Sequence, residues 1–135
     1  MLRTCLVMNT IMAARALARR ADAEFKPFGV SVVQFSMLMV LNARSGEPVS
    51  RMAERLSMDR TTLIRNLELL VKKGLVSAEP AAKGPGRDFL LTDEGRALAA
   101  RLIAAWPDAQ RRMRERLPED EPERFLATLR ALSAE

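Results

Sequence analysis

Apolar positions recur at helical spacing along most of the chain, and the width of the apolar stripe differs from stretch to stretch. From Leu2 to about Phe25, Cys5, Met8, Ile11, Met12 and Leu17 fall on one stripe with arginines mainly between them, which predicts one long amphipathic helix. Lys26-Pro27-Phe28-Gly29 ends it, because proline disfavours a helical residue before it and glycine permits a reversal. Ser31 with Gln34 three residues on has a capping-box pattern. The following Phe35, Leu38, Met39, Val40 and Leu41 are apolar almost all round, so this helix is expected to be buried on most sides.

After the Ser45-Gly46-Glu47-Pro48 loop, Ser50 is expected to cap a short helix carrying Met52, Ala53 and Leu56 inward. Ser57-Met58-Asp59 forms a break, with Asp59 as the next cap. From Thr61 to Lys73 the stripe is Leu63, Leu67, Leu70 and Val71, leaving Thr62, Arg65, Asn66 and Leu69 toward the other side, and Gly74 stops the helix. Leu75 to Glu79 and Arg87 to Leu91 are short strand candidates joined by a loop rich in glycine and proline. Thr92 caps a helix carrying Leu98, Leu102, Ile103 and Trp106 inward, and Pro107 predicts a kink or break near Trp106. A last helix, about Glu119 to Ser133, is expected to bury Phe125, Leu126, Leu129 and Leu132.

Composition narrows the class. A chain of 135 residues, 48% hydrophobic, fits one domain, and 4% aromatic with 29% charged residues favours helices over sheets. The expected fold is mainly α with a small two-stranded β-wing. A net charge of +5 favours a polyanionic partner, since basic side chains meeting phosphate release counterions. A single cysteine allows no internal disulfide and fits a reducing cytoplasm. With neither histidine nor tyrosine, the commonest general base and transition-metal ligand are missing, so no enzyme, metal site or cofactor is expected. No export or membrane-spanning segment is expected either. The charged run Arg111 to Arg116 reads as a solvated helix face.

Helix, short break, helix and two strands with a flexible tip is the order of a winged helix-turn-helix, whose second helix enters the major groove. That helix would start near Arg60. Arg60, Thr61, Thr62, Arg65 and Asn66 offer guanidinium, hydroxyl and amide groups for phosphates or base edges, with Arg65 first for a base contact. Lys83 and Arg87 supply a basic wing. Any surface helix carries polar residues opposite its apolar stripe, so a helical protein-interaction module is the rival, and it predicts weak salt dependence of binding. Gly84-Pro85-Gly86 lacks the lysine and hydroxyl residue of a phosphate-cradling loop.

The run Val49-Ser50-Arg51-Met52-Ala53-Glu54-Arg55-Leu56-Ser57-Met58-Asp59-Arg60-Thr61-Thr62-Leu63, then Leu70-Val71-Lys72-Lys73-Gly74-Leu75-Val76 and Leu91-Thr92-Asp93-Glu94-Gly95, resembles the core of the MarR family of regulators. The resemblance implies a single domain over 1–135, with a DNA-binding core at 30–92 and dimerisation helices at 1–28 and 93–135. It implies a homodimer, usually a repressor, on double-stranded operator DNA. The wing departs from the family, which commonly has an acidic residue and two adjacent arginines where this tip reads Lys83-Gly84-Pro85-Gly86-Arg87-Asp88. Only Arg87 is carried over as the wing arginine, and Lys83 stands on its charge.

The apolar stripes of the first and last helices exceed what one chain of this size can cover, which independently favours symmetric pairing. A twofold dimer sets its recognition helices roughly 34 Å apart and asks for a pseudo-palindromic operator. Regulators of this type are often released by a small ligand; Met8, Met12, Phe25, Phe28, Phe35 and Met39 are candidates to line a site for an aromatic or phenolic one, and equally ordinary core residues. Some relatives sense peroxides through a cysteine in the first helix, which makes Cys5 a redox candidate. Tyrosines activate that thiolate and this chain has none, so Cys5 reads better as a small apolar residue of the stripe.

Overall fold

The capping and stop signals set where most helices begin and end in the computed structural model, which describes residues 2–118 and 121–134. The first helix, α1, runs from Leu6 to Phe25. The uninterrupted helix expected from Leu2 is instead a 3-10 turn over Leu2–Thr4, then an extended Cys5 (φ −77°, ψ 111°) at the helix cap. In the first turn the side chains of Asn9 and Thr10 donate to the carbonyls of Cys5 (2.7 Å) and Leu6 (2.8 Å), beside the Asn9 N–H that donates to the Cys5 carbonyl (3.1 Å). Cys5 is therefore a cap residue and not part of the helical stripe.

A 3-10 turn at Lys26–Phe28 and Gly29 at φ 73° turn the chain into α2 (Val32–Ala43). The capping box forms: Gln34 N donates to Ser31 Oγ (3.1 Å), and Ser31 N donates to Gln34 Oε1 (3.3 Å). Next comes α3 (Val49–Arg55), capped by Pro48 and not by Ser50. Proline's fixed φ presets the entry, and Ser50 ends up exposed in the first turn. Then follow α4 (Arg60–Lys72), β1 (Val76–Pro80), β2 (Arg87–Leu91), α5 (Asp93–Arg114) and α6 (Pro122–Ser133). The two strands pair antiparallel, from Val76 opposite Leu91 to Pro80 opposite Arg87.

Pro107 does not break α5, which stays helical to Arg114. The proline leaves only the Ile103 carbonyl without its ladder donor, and both residues lie on the exposed side, where water can serve it. The α6 side chains expected to be buried are not: Phe125, Leu126 and Leu129 are half-buried and Leu132 is 51% exposed. Glu119, the expected start of that helix, lies outside the described residues.

The core lies under α2, where Met37, Leu38 and Leu41 meet Met52 of α3, Leu63, Leu67 and Leu70 of α4, Phe89 of β2 and Leu102 of α5. Burying one such side chain contributes about 1.5–3 kcal/mol. Where the winged lobe joins α1 and α5, Phe25, Phe35 and Trp106 stack with ring centroids 4.3–5.7 Å apart. Glu24 and Arg112 bind α1 to α5 through two parallel bonds of 2.9 and 2.6 Å. Among the described residues, no single helix is long and apolar enough to cross a membrane.

Candidate nucleic-acid interface

The start of α4 is fixed by one carboxylate. Asp59 accepts from Thr62 N (2.9 Å) and from Thr62 Oγ1 (2.6 Å), and these bonds, the hydroxyl's first, hold its carboxyl below the ordinary value of 3.8. The helix's far end is tied down by Lys73, whose ammonium donates to the Gly29 carbonyl (2.7 Å) and to Gln34 Oε1 (3.0 Å). Gln34 is buried, so α4 is clasped to the junction of α1 and α2. Leu63, Leu67 and Leu70 face the core, which leaves Arg60, Thr61, Arg65, Glu68, Leu69 and Lys72 outward.

These outward residues divide the predicted DNA contacts into two groups. Arg60, Thr61 and Arg65 are exposed and, among the described residues, their side chains have no hydrogen-bond or ion-pair partner in the chain. Thr62 and Asn66 are half-buried and already engaged: Thr62 caps with Asp59, and Asn66 Nδ2 donates to the Thr62 carbonyl (2.9 Å). Sequence spacing could not separate the groups, since all five lie away from the leucine stripe.

The wing closes on itself at its tip. Ala81 N donates to the Gly86 carbonyl and Ala82 N to Asp88 Oδ2, both at 3.1 Å, which presents an exposed Lys83. A cleft of about 470 Å³ separates the wing from the helices, bordered by Pro48, Ser50, Arg60, Ile64, Lys83 and Arg87. Arg87 stands where the strand ladder meets the tip, 3.1 Å from Glu68 of α4 and with its guanidinium over Phe89. Glu68 and Lys73 went unnoticed in the sequence; only the fold brings their partners, 19 and 44 positions away, within reach.

Of the six residues suggested for a ligand site, Phe25 and Phe35 stack in the core with Phe28 and Met39 packed against that core, whereas Met8 and Met12 stand apart. Met8 and Met12 are 38% and 62% exposed on the free half of α1, Phe25 and Phe35 fill the core, and Phe28 lies under Arg101. Met39 is half-buried against that core. A separate apolar groove of about 300 Å³ runs between α1, α5 and α6, with Leu17, Trp106, Met113, Phe125 and Leu129 on its walls and Gln110 and Arg114 at its side. Among the described residues, no cluster of acidic residues and cysteine is arranged to hold a metal ion.

A recognition helix clasped at both ends, beside a closed basic wing, defines a winged-helix DNA-binding protein. No family model matches the chain, and no curated protein does. Solved structures do. The transcriptional regulator MosR of M. tuberculosis is 28% identical, covers 98% of both chains and superposes with a TM-score of 0.81. Its complex with DNA gives 29% identity over 96% of this chain and 93% of that one, at 0.84. The M. tuberculosis MarR family protein Rv2887 in complex with salicylic acid gives 25% over 96% of each, at 0.70. The chain is a winged-helix regulator of transcription, similar over nearly its whole length to these regulators.

Proposed function

We propose that the protein acts as a homodimeric repressor in the cytoplasm, binding a pseudo-palindromic operator and leaving it when a small aromatic acid binds. The observation that carries DNA binding is the row Arg60, Thr61 and Arg65, exposed and unpartnered among the described residues, beside a wing tip presenting Lys83. Unpaired guanidinium groups on a helix aimed outward suit the major groove. Thr62 and Asn66 contribute by fixing the helix, and any contact they make with DNA goes through the atoms their internal bonds leave free.

Dimerisation is supported by the exposed run Leu6, Val7, Met8, Ile11 and Met12, which leaves α1 with an apolar face that a second copy would cover. The six residues divide between the packed core and the exposed half of α1, and the ligand site is instead the groove at Trp106. Its walls are apolar, Arg114 stands at its side to meet a carboxylate, and a relative of the same fold was crystallised with salicylic acid.

The test is a salt titration of binding to DNA from the protein's own promoter region against unrelated DNA. Promoter preference and a log–log slope of about −0.9 per phosphate neutralised are expected. Equal, salt-insensitive binding to both would favour the protein-interaction module instead. Arg65→Ala should cost about 1–3 kcal/mol and relax one operator position, whereas uniform weakening would place Arg65 on a phosphate. Trp106 is the single tryptophan, so its fluorescence should report salicylate entering the groove, and an unchanged spectrum at saturating salicylate would remove that ligand class.

A further inference from the structure

Arg87 and Phe89 are alternate residues of β2 and share the hairpin face turned to α4, while Asp88 on the other face closes the tip. Phe89 is 2% exposed, so the strand there is anchored in the core. The Arg87 guanidinium lies 5.2 Å from the Phe89 ring centroid and reaches Glu68 at 3.1 Å. Glu68 is an acidic side chain on the outward face of α4, between Arg65 and Leu69. Left alone it would repel the phosphates that its neighbours attract.

We propose that Arg87 is a positioning residue: it ties the tip end of the strand ladder to the recognition helix through Glu68 and offsets that carboxylate, and the reach to DNA is left to Lys83 in the tip loop. The geometry divides the wing's two cations by task. Arg87 sits opposite Pro80 at the end of the strand ladder and is engaged on two sides, whereas Lys83, beyond the ladder, is exposed and unpartnered among the described residues. This rests on the DNA-binding reading only for its functional consequence; the tie itself is a property of the free protein.

Two measurements on Glu68→Gln, Arg87→Gln and the double variant, all as full-length chains, separate the possibilities. Trypsin cutting after Lys83 in the free protein should speed up by a similar factor in each single variant, roughly two- to fivefold for an exposed ion pair, and no further in the double. Cutting rates equal to wild type in both singles would overturn the tie. On promoter DNA, Arg87→Gln should weaken binding in the wild-type background and have little effect beside Glu68→Gln. An equal or larger loss beside Glu68→Gln, with a salt slope lower by about 0.9 per wing, would make Arg87 a phosphate contact and overturn the assignment. If no variant or wild type prefers promoter DNA, the DNA-binding reading fails while the digestion still decides the tie.

Discussion

The winged lobe and the terminal helices draw on the same aliphatic residues and end at opposite degrees of burial. In the lobe, Leu38, Leu63, Leu67 and Leu70 are all fully buried. At the chain's ends, Leu6, Met12 and Leu132 are more than half exposed, with helices as amphipathic as those of the lobe. An apolar stripe therefore states that a face wants cover; it does not state whether its own chain supplies it. The lobe's aliphatic side chains are covered within one chain, and many of those at the ends are left exposed.

The sharpest way to break this comparison is to truncate one leucine on each side. Leu38→Ala should cost about 2–5 kcal/mol, because it removes transfer energy and opens a cavity in a close-packed site. Leu132→Ala should change the unfolding free energy of the monomer by less than about 0.5 kcal/mol. Urea unfolding at several protein concentrations checks both. A large loss for Leu132→Ala that appears only at high concentration would place a second copy on α6, and equal losses at every concentration would erase the distinction.

That comparison also marks what was legible in the sequence. Caps at Ser31, Asp59 and Thr92 and stops at Gly29 and Gly74 act through neighbours three or four residues away, and the structure places all of them as expected. The five polar residues of the recognition helix were legible as a set. Which of them are free was not, because that depends on the bonds of Thr62 with Asp59 and of Asn66 with the Thr62 carbonyl. The ligand candidates divided between the core and the exposed half of α1 because helical spacing places side chains on a stripe without saying which stripes meet. Pro107 misled for a related reason: the cost of a missing amide falls when the orphaned carbonyl faces water.

A second break comes from the joint between lobe and helices. At Gly95 in the first turn of α5, an added Cβ would lie 2.0 Å from the Leu75 carbonyl oxygen, which accepts from Thr92 N. Neither backbone segment can move without disturbing the wing's first strand. Gly95→Ala should thus cost about 3 kcal/mol, at the upper end for overpacking, and thermal melting would show it. An unchanged melting temperature would mean that α5 rides loosely on the lobe. By contrast, Gly29, Gly74, Gly84 and Gly86 have open space around their α-carbons and owe their identity to positive φ.

Smaller still is the clasp at the other end of α4. Lys73→Met keeps the length of the side chain and removes both donated bonds, leaving the Gly29 carbonyl and Gln34 Oε1 with less than their full complement. Lys73 is exposed, so the expected loss is about 1 kcal/mol and not the larger value of a buried charged bond. The same variant should lower promoter affinity while leaving the salt slope unchanged, since Lys73 faces the α1–α2 junction and not the wing cleft. A reduced slope would put its ammonium on a phosphate.

The smallest effect compares one carboxylate from each region. Asp59 in the lobe is held low first by the Thr62 hydroxyl, and Glu24 at the α1–α5 contact first by the Arg112 guanidinium. In both, the folded protein binds its proton less readily than the unfolded chain. Their contribution to stability is present above the ordinary values of 3.8 and 4.5 and fades as the pH falls through the lower folded values. Melting temperature followed from pH 6 downward should therefore decline below about pH 4.5 in the wild type. Thr62→Val should flatten part of that decline by releasing Asp59, and Arg112→Gln another part by releasing Glu24. Because Asp59 is exposed and Glu24 only half-buried, each share is small, and it is the slope of the acid limb and not the plateau that must move. Curves for the variants running parallel to wild type would show that neither pair holds its carboxylate more tightly than water does.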